Sequence, residues 1–142
     1  MRMTRAIVIA ALMACLSSLP ALARGITWTR SYAAAQREAK RTGKLIMVDF
    51  YTDWCTYCKV LDRDVFTAPA VVTASRKFVN VKLNAEKEGL QSARSLGVTS
   101  FPRLFFLKAD GTVVSSIRGV MPPDELAVAL RRLATYRGSM RL

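Results

Sequence analysis

The sequence predicts an α/β domain with a mixed central sheet and helices on both faces. Three observations point there. Short apolar or alternating runs take turns with stretches of helical periodicity, in the order β-α-β-α-β-β-α after a first helix. An Asp-Gly pair separates the last two strand-like runs, which marks a hairpin. One run, LIMVDFY, is apolar on both sides, as a buried parallel strand would be.

The elements follow in order. Residues 29–42 read as a helix, because Trp28, Tyr32, Ala35 and Ala39 recur at helical spacing and Gly43 follows as a stop. Residues 45–51 form the buried strand, with Asp49 as an unexplained acid inside it. Residues 53–55 make a strand-to-helix turn. Residues 55–66 continue as a helix with Val60 and Leu61 inward, and Pro69 starts another that runs to about Phe78. Residues 79–84 (VNVKLN) alternate as a strand, and residues 89–96 form a short helix closed by Gly97. Residues 103–107 make a strand behind Pro102, residues 108–111 the hairpin turn, and residues 112–118 its partner strand, ended by Gly119. Pro122 and Pro123 open a last helix carrying Leu126, Leu130 and Leu133 on one face, and residues 137–142 read as a frayed tail.

At 142 residues the chain suits one domain. Its first residues are organised differently. Arg2 and Arg5 precede an apolar run over residues 6–16, followed by Ser17, Ser18, Pro20 and the small-residue pattern Ala21-Leu22-Ala23. That order reads as a secretory signal over residues 1–23, leaving a domain over residues 24–142 and a periplasmic location. The apolar run is too short to span a bilayer comfortably, and no second run is long enough. An alternative is a lipoprotein tethered through Cys15, in the segment Leu12-Met13-Ala14-Cys15. Removing residues 1–23 takes away two arginines and no acid, so the net charge falls from +12 to +10. The remaining positive charge is scattered, without the dense block of a nucleic-acid arm. Nucleic acid is not an expected partner. A soluble basic surface is the plain reading, with weak attraction to anionic lipid head groups or acidic partners as the alternative. A monomer is expected.

The sequence contains no histidine. Cys–His and Ser–His–Asp hydrolases are therefore excluded, since no imidazole exists to act as base. Outside residues 1–23 only Cys55 and Cys58 remain, too few for the usual four Cys or His ligands of structural zinc. No Gly-rich phosphate loop is present. Neither a metal nor a cofactor is expected. What remains is chemistry that two thiols perform alone.

The Cys-x-x-Cys spacing at a helix start puts both sulfurs on one side of the first turn. Free backbone N–H groups at a helix N-terminus favour negative charge, so a Cys55 thiolate is stabilised there. The thiolate is the attacking species, with Cys58 deeper as the resolving thiol. A purely structural disulfide is the competing reading, but a separation of three residues closes a loop with little entropy to gain.

The segment Val48-Asp49-Phe50-Tyr51-Thr52-Asp53-Trp54-Cys55-Thr56-Tyr57-Cys58-Lys59 resembles the active-site segment of the thioredoxin superfamily. Within it the chain is most similar to the exported group that includes the C-terminal periplasmic domain of the reductase DsbD. Phe101-Pro102 before a strand, and Gly119 beyond it, extend the resemblance over roughly residues 28–136. It implies a thioredoxin-like fold and a thiol–disulfide oxidoreductase of the protein-disulfide reductase type. By the same resemblance Pro102 is the cis-proline against the disulfide, and Asp49 is the buried acid that helps move the proton of Cys58. Lys82 is a lysine able to pair with that acid, although a solvated strand-end lysine reads nearly as well. Trp54, Phe101, Pro102 and Gly119 are implied as substrate-binding. The middle pair Thr56-Tyr57 and the bulky Phe101 depart from the usual pattern. Implied partners are protein thiols and disulfides of the cell envelope, and a membrane electron-donor reductase. Asp49 and Asp53 nearby disfavour a thiolate, which favours a reductant. A disulfide oxidase or isomerase, and a redox-idle binding or chaperone-like module, are the alternatives.

Overall fold

The computed structural model describes residues 25–136. The signal segment, Cys15 and the frayed tail expected from sequence lie outside the described residues. The elements are α1 (Tyr32–Thr42), β1 (Ile46–Tyr51), α2 (Thr56–Val60) running into a π-helical turn (Leu61–Val65), α3 (Pro69–Ser75), β2 (Val79–Asn84), α4 (Leu90–Ser95), β3 (Arg103–Leu107), β4 (Val113–Arg118) and α5 (Pro123–Ala134). The sheet order is β2-β1-β3-β4. β1 runs parallel to β2 and antiparallel to β3, and β3 pairs antiparallel with β4. The expected mixed sheet is present.

Period-two alternation in β1 decides which residues face which layer. Ile46, Val48 and Phe50 enter one cluster with Ala35 and Ala39 of α1, Val81 and Leu83 of β2, and Ala93 of α4. Met47 enters the other, with Leu61, Val65, Val71, Leu104, Phe106, Leu126 and Leu130. Helices therefore cover both faces, and β1 is wholly interior except at Tyr51. Each large apolar side chain buried this way contributes about 1.5–3 kcal/mol.

Two elements differ from the sequence expectation. The first helix starts at Tyr32, not at residue 29. Ser31 caps it, its Oγ accepting from the Ala34 N–H at 3.2 Å. Thr29 instead lies along β2: its N–H donates to the Asn80 carbonyl and its carbonyl accepts from the Lys82 N–H, both at 3.0 Å. Edge pairing thus claims the residues before the cap, and Trp28 packs against Phe66 rather than opening a helix. The second difference is the π-helical turn after Val60, where the Phe66 N–H donates to the Leu61 carbonyl at 2.9 Å. Consecutive Val65 and Phe66 are both buried. A regular helix would set neighbours 100° apart, and the widened turn lets both face the core.

The hairpin forms where Asp-Gly predicts it. Gly111 adopts φ +90°, and Asp110 Oδ1 accepts from the Thr112 N–H at 2.9 Å. Gly89 has a different constraint. A Cβ there would lie 2.7 Å from Leu83 Cβ and 2.8 Å from the Asn84 carbonyl oxygen. Only glycine lets the segment after β2 fold back tightly, and that segment carries Glu86 and Lys87 to the carboxyl end of β1.

Candidate active site

β1 ends at Tyr51, and Thr52 to Trp54 turn the chain into α2. The Cys55 N–H donates to the Thr52 carbonyl at 3.2 Å, which closes the turn. Cys55 is the N-cap of α2, and Cys55 and Cys58 form a disulfide. Cys55 Sγ accepts from the Cys58 backbone N–H at 3.1 Å. That N–H is one a thiolate at the same position would use, so the turn is built to carry negative charge on the first sulfur.

The expected exposure difference between the cysteines is small in this oxidised form. Cys55 is 5% exposed and Cys58 2%. The neighbours Trp54 and Tyr57 take the solvent instead, at 65% and 68% exposed. Position at the cap, rather than open surface, distinguishes Cys55.

Trp54 is held from two sides. Its indole N–H donates to Glu86 Oε1 at 3.0 Å, and its ring meets Phe101 edge-on with centroids 5.9 Å apart. The Phe101-Pro102 peptide is cis. The Gly119 N–H donates to the Pro102 carbonyl at 3.0 Å, and Gly119 takes φ +77°, a region that favours glycine. Of the four residues inferred as substrate-binding, Trp54 and Phe101 are thus in ring contact, and Pro102, which is buried, is tied through its carbonyl to Gly119.

β1, β2 and the π-helical turn that continues α2 meet in an ionic cluster. Asp49 is fully buried on the Met47 side of β1 and directly opposite Lys82 in the β1–β2 register. Lys82 Nζ donates to Asp49 Oδ2 at 2.8 Å and also to Asp62 Oδ1. Burial raises the Asp49 pKa above its ordinary value of 3.8, and the charge and hydrogen bond of Lys82 offset only part of that. Burial works against the Lys82 ammonium too, but the two carboxylates outweigh it and its pKa is raised. The rings of Tyr51, Phe66 and Trp28 lie 4.9, 5.5 and 5.8 Å from Lys82 Nζ, which further favours the cation. Asp49 Oδ1 has no partner among the described residues. It is a buried carboxylate oxygen with an open lone pair and an upward-shifted pKa, so the site can hold a proton at that atom.

Lys82 is therefore not the solvated strand-end lysine that the sequence left open. Asp53 also differs from expectation. It bonds Lys87 Nζ at 2.7 Å and Asn84 Nδ2 at 2.9 Å, and the Lys87 hydrogen bond lowers its pKa. Its charge is matched locally, so it does little to repel a Cys55 thiolate.

Three participants escaped sequence reasoning: Asp62, Glu86 and Asn84. Asp62 left a readable signal. It lies four residues after Cys58, on the same helix face. Glu86 and Asn84 left none, because their roles depend on the fold-back at Gly89.

The profile of the thioredoxin-like domain matches residues 32–134. The thiol:disulfide interchange protein DsbD 1 of Pseudomonas aeruginosa is 34% identical over 125 residues, covering 83% of this chain and 21% of that protein. The chain thus spans about a fifth of that relative's length. A solution structure of a "putative disulphide-isomerase" from Bacteroides thetaiotaomicron shares 34% identity with a TM-score of 0.68, covering 83% of this chain and all of that one. The oxidised DsbD C-terminal domain of Neisseria meningitidis has the same fold, with a TM-score of 0.64 at 20% identity, covering 75% of this chain and 98% of that one.

Proposed function

The chain belongs to the thioredoxin-like domain family, and from that premise we propose that it is an exported thiol–disulfide oxidoreductase that reduces protein disulfides in the cell envelope. The observation that carries this reading is the Cys55–Cys58 pair at the cap of α2, with the Cys58 N–H aimed at Cys55 Sγ. The proposed location is the periplasm after removal of residues 1–23, with tethering through Cys15 as the alternative. Protein disulfides are the proposed substrates, and a membrane reductase the proposed electron donor.

In the reduced protein the Cys55 thiolate attacks one sulfur of a substrate disulfide. A Cys55–substrate S–S bond forms, the substrate S–S bond breaks, and the leaving thiolate takes up a proton. Cys58 then gives its proton to Asp49 and attacks Cys55 Sγ. The Cys55–Cys58 disulfide forms, the Cys55–substrate bond breaks, and the second substrate sulfur leaves as a thiolate that takes up a proton, which Asp49 can return. Two electrons have passed from the dithiol to the substrate. Asp49 suits the proton step because burial has raised its pKa and Oδ1 is open. Trp54, Phe101, Pro102 and Gly119 form the surface on which the substrate chain lies.

Reduction of insulin by dithiothreitol tests the activity. Catalytic amounts of the protein should speed turbidity, and Cys55→Ser should return the rate to that of dithiothreitol alone. A wild-type protein no faster than dithiothreitol would leave the redox-idle module as the reading. Cys58→Ser should accumulate mixed disulfides through Cys55, and their absence from envelope extracts would contradict the order of attack.

The isomerase alternative gains support from the name of the Bacteroides relative. Recovery of scrambled ribonuclease separates it, since an isomerase restores activity without net reduction.

A further inference from the structure

At the end of β1 remote from the disulfide lies a second feature, a cleft of about 830 Å³ between the α1–β1 turn, α3 and the end of α5. That volume is within the range of ligand sites, roughly 300–1,000 Å³. The length of β1 sets it roughly 20 Å from the cysteines. Its floor is apolar, with Phe78 and Ala74 buried and Leu45 and Ala134 half-buried.

Its rim is cationic. Lys44, Lys77 and Arg131 line it, all exposed, and no acid does. Lys108 sits 5.9 Å from the ring of Tyr136, which also lines it. Among the described residues neither Lys77 nor Arg131 has a carboxylate within ion-pair distance, and Lys44 Nζ reaches only the Arg76 carbonyl, at 3.0 Å. Residues 1–24 and 137–142 contain no Asp or Glu side chain that could neutralise the rim. At the carboxyl end of β1 the charges are matched instead, Lys82 pairing with Asp49 and Asp62 and Lys87 with Asp53.

We propose that this cleft docks the protein on a membrane surface of anionic phospholipid. The rim ammonium and guanidinium groups bind the phosphodiester, and the apolar floor takes the upper part of an acyl chain. Because the cleft lies at the opposite end of β1, docking there leaves Cys55 roughly 20 Å from the lipid contact, facing soluble partners. In a zwitterionic lipid the choline cation already balances the phosphodiester and opposes the rim cations, and a free inorganic anion would leave the floor unused.

Co-sedimentation of the full chain tests this. The probes are vesicles of phosphatidylcholine alone and of equal parts phosphatidylcholine and phosphatidylglycerol. The apolar residues 6–16 would partition into both, so the readout is the difference between compositions. Binding should be stronger to the anionic vesicles and weaken with salt. A Lys or Arg at such a surface is worth roughly fivefold in binding, so the pair Lys77→Glu and Arg131→Glu should cost about 25-fold or more. The control pair Arg37→Glu and Arg94→Glu changes the net charge equally at exposed sites away from the cleft and should retain most binding. Insulin reduction should be unchanged in both variants, which checks folding and keeps this result separate from the proposed activity.

Equal binding to the two vesicle types would overturn the proposal. So would equal losses in the test and control pairs, which would mean diffuse charge alone. Competition by inorganic phosphate beyond that of chloride at equal ionic strength would reduce the cleft to a simple anion patch. A concentration-dependent dimer dissolved by the Lys77 and Arg131 substitutions would assign the cleft to a second copy instead.

Discussion

The two faces of β1 use the same strand for opposite purposes. One presents Ile46, Val48 and Phe50 to an apolar layer under α1 and α4. The other presents Met47 to the core but Asp49 to Lys82, in the layer beneath the CxxC helix. Burial of the first face follows the ordinary logic of a core. The second places two ionised groups where water is scarce, and their mutual attraction has to offset a desolvation cost of several kcal/mol per ion. Apolar residues there would serve stability as well or better. The strand therefore sets what holds the fold one residue apart from the acid proposed to take up the Cys58 proton.

Phe50→Ala probes the stabilising face and should show the largest effect. Its ring is fully buried and meets Phe105 edge-on. Truncation should cost about 3–5 kcal/mol in urea unfolding, with insulin reduction by the folded protein little changed. A large kinetic defect in folded Phe50→Ala would blur the separation.

Asp49→Asn probes the other face. The resolving step should slow by roughly 10²-fold, the low end of what a positioned base contributes, with alkylation of Cys55 affected less. The pH dependence of stability gives a second readout. The folded carboxyl holds its proton more tightly than the unfolded one, because burial raises its pKa. That contribution is complete below the ordinary value of 3.8 and is lost as pH rises through the raised folded value. Asp49→Asn should lack this decline, which urea midpoints at stepped pH would reveal. Wild-type resolving rates in the variant across neutral pH would rule out the proton-transfer role.

Asp62→Asn should act more mildly, since Asp62 is half-exposed and Lys82 keeps Asp49. Its charge helps hold the Asp49 pKa up, so its removal should move the pH profile of the resolving step to lower pH. A move to higher pH would mean that Asp62 acts on Asp49 mainly by holding Lys82 in place beside it. Asp53→Asn should have the smallest effect, because its charge is matched by Lys87 at the surface. A changed redox potential in that variant would restore Asp53 to the account.

The two faces were unequally legible in the sequence. Apolar alternation exposed the layers, and Asp49 announced itself as an acid in an apolar run. The cap at Ser31 was hidden because Trp28 and Tyr32 happen to keep helical spacing across a stretch that pairs as an edge strand. The π-helical turn could not be read from a pattern that assumes regular turns. Asp62 was readable from its distance to Cys58, but its bond to Lys82 joins residues 20 apart. Glu86 reaches Trp54 across 32 residues through a fold-back that only Gly89 permits. Local periodicity carries the elements, whereas the ion cluster and the Trp54 clamp are tertiary.

The central claim is that Cys55 and Cys58 act as a reducing dithiol, and equilibration with glutathione tests it most directly. The reduced fraction would be followed by alkylation and mass spectrometry over a series of glutathione ratios. The account predicts a potential near that of reducing dithiols, about −270 mV, because the sequence offers no histidine between or beside the cysteines to give the thiolate extra support. A value near −120 mV, typical of strong oxidants, would contradict it and assign the protein to disulfide formation.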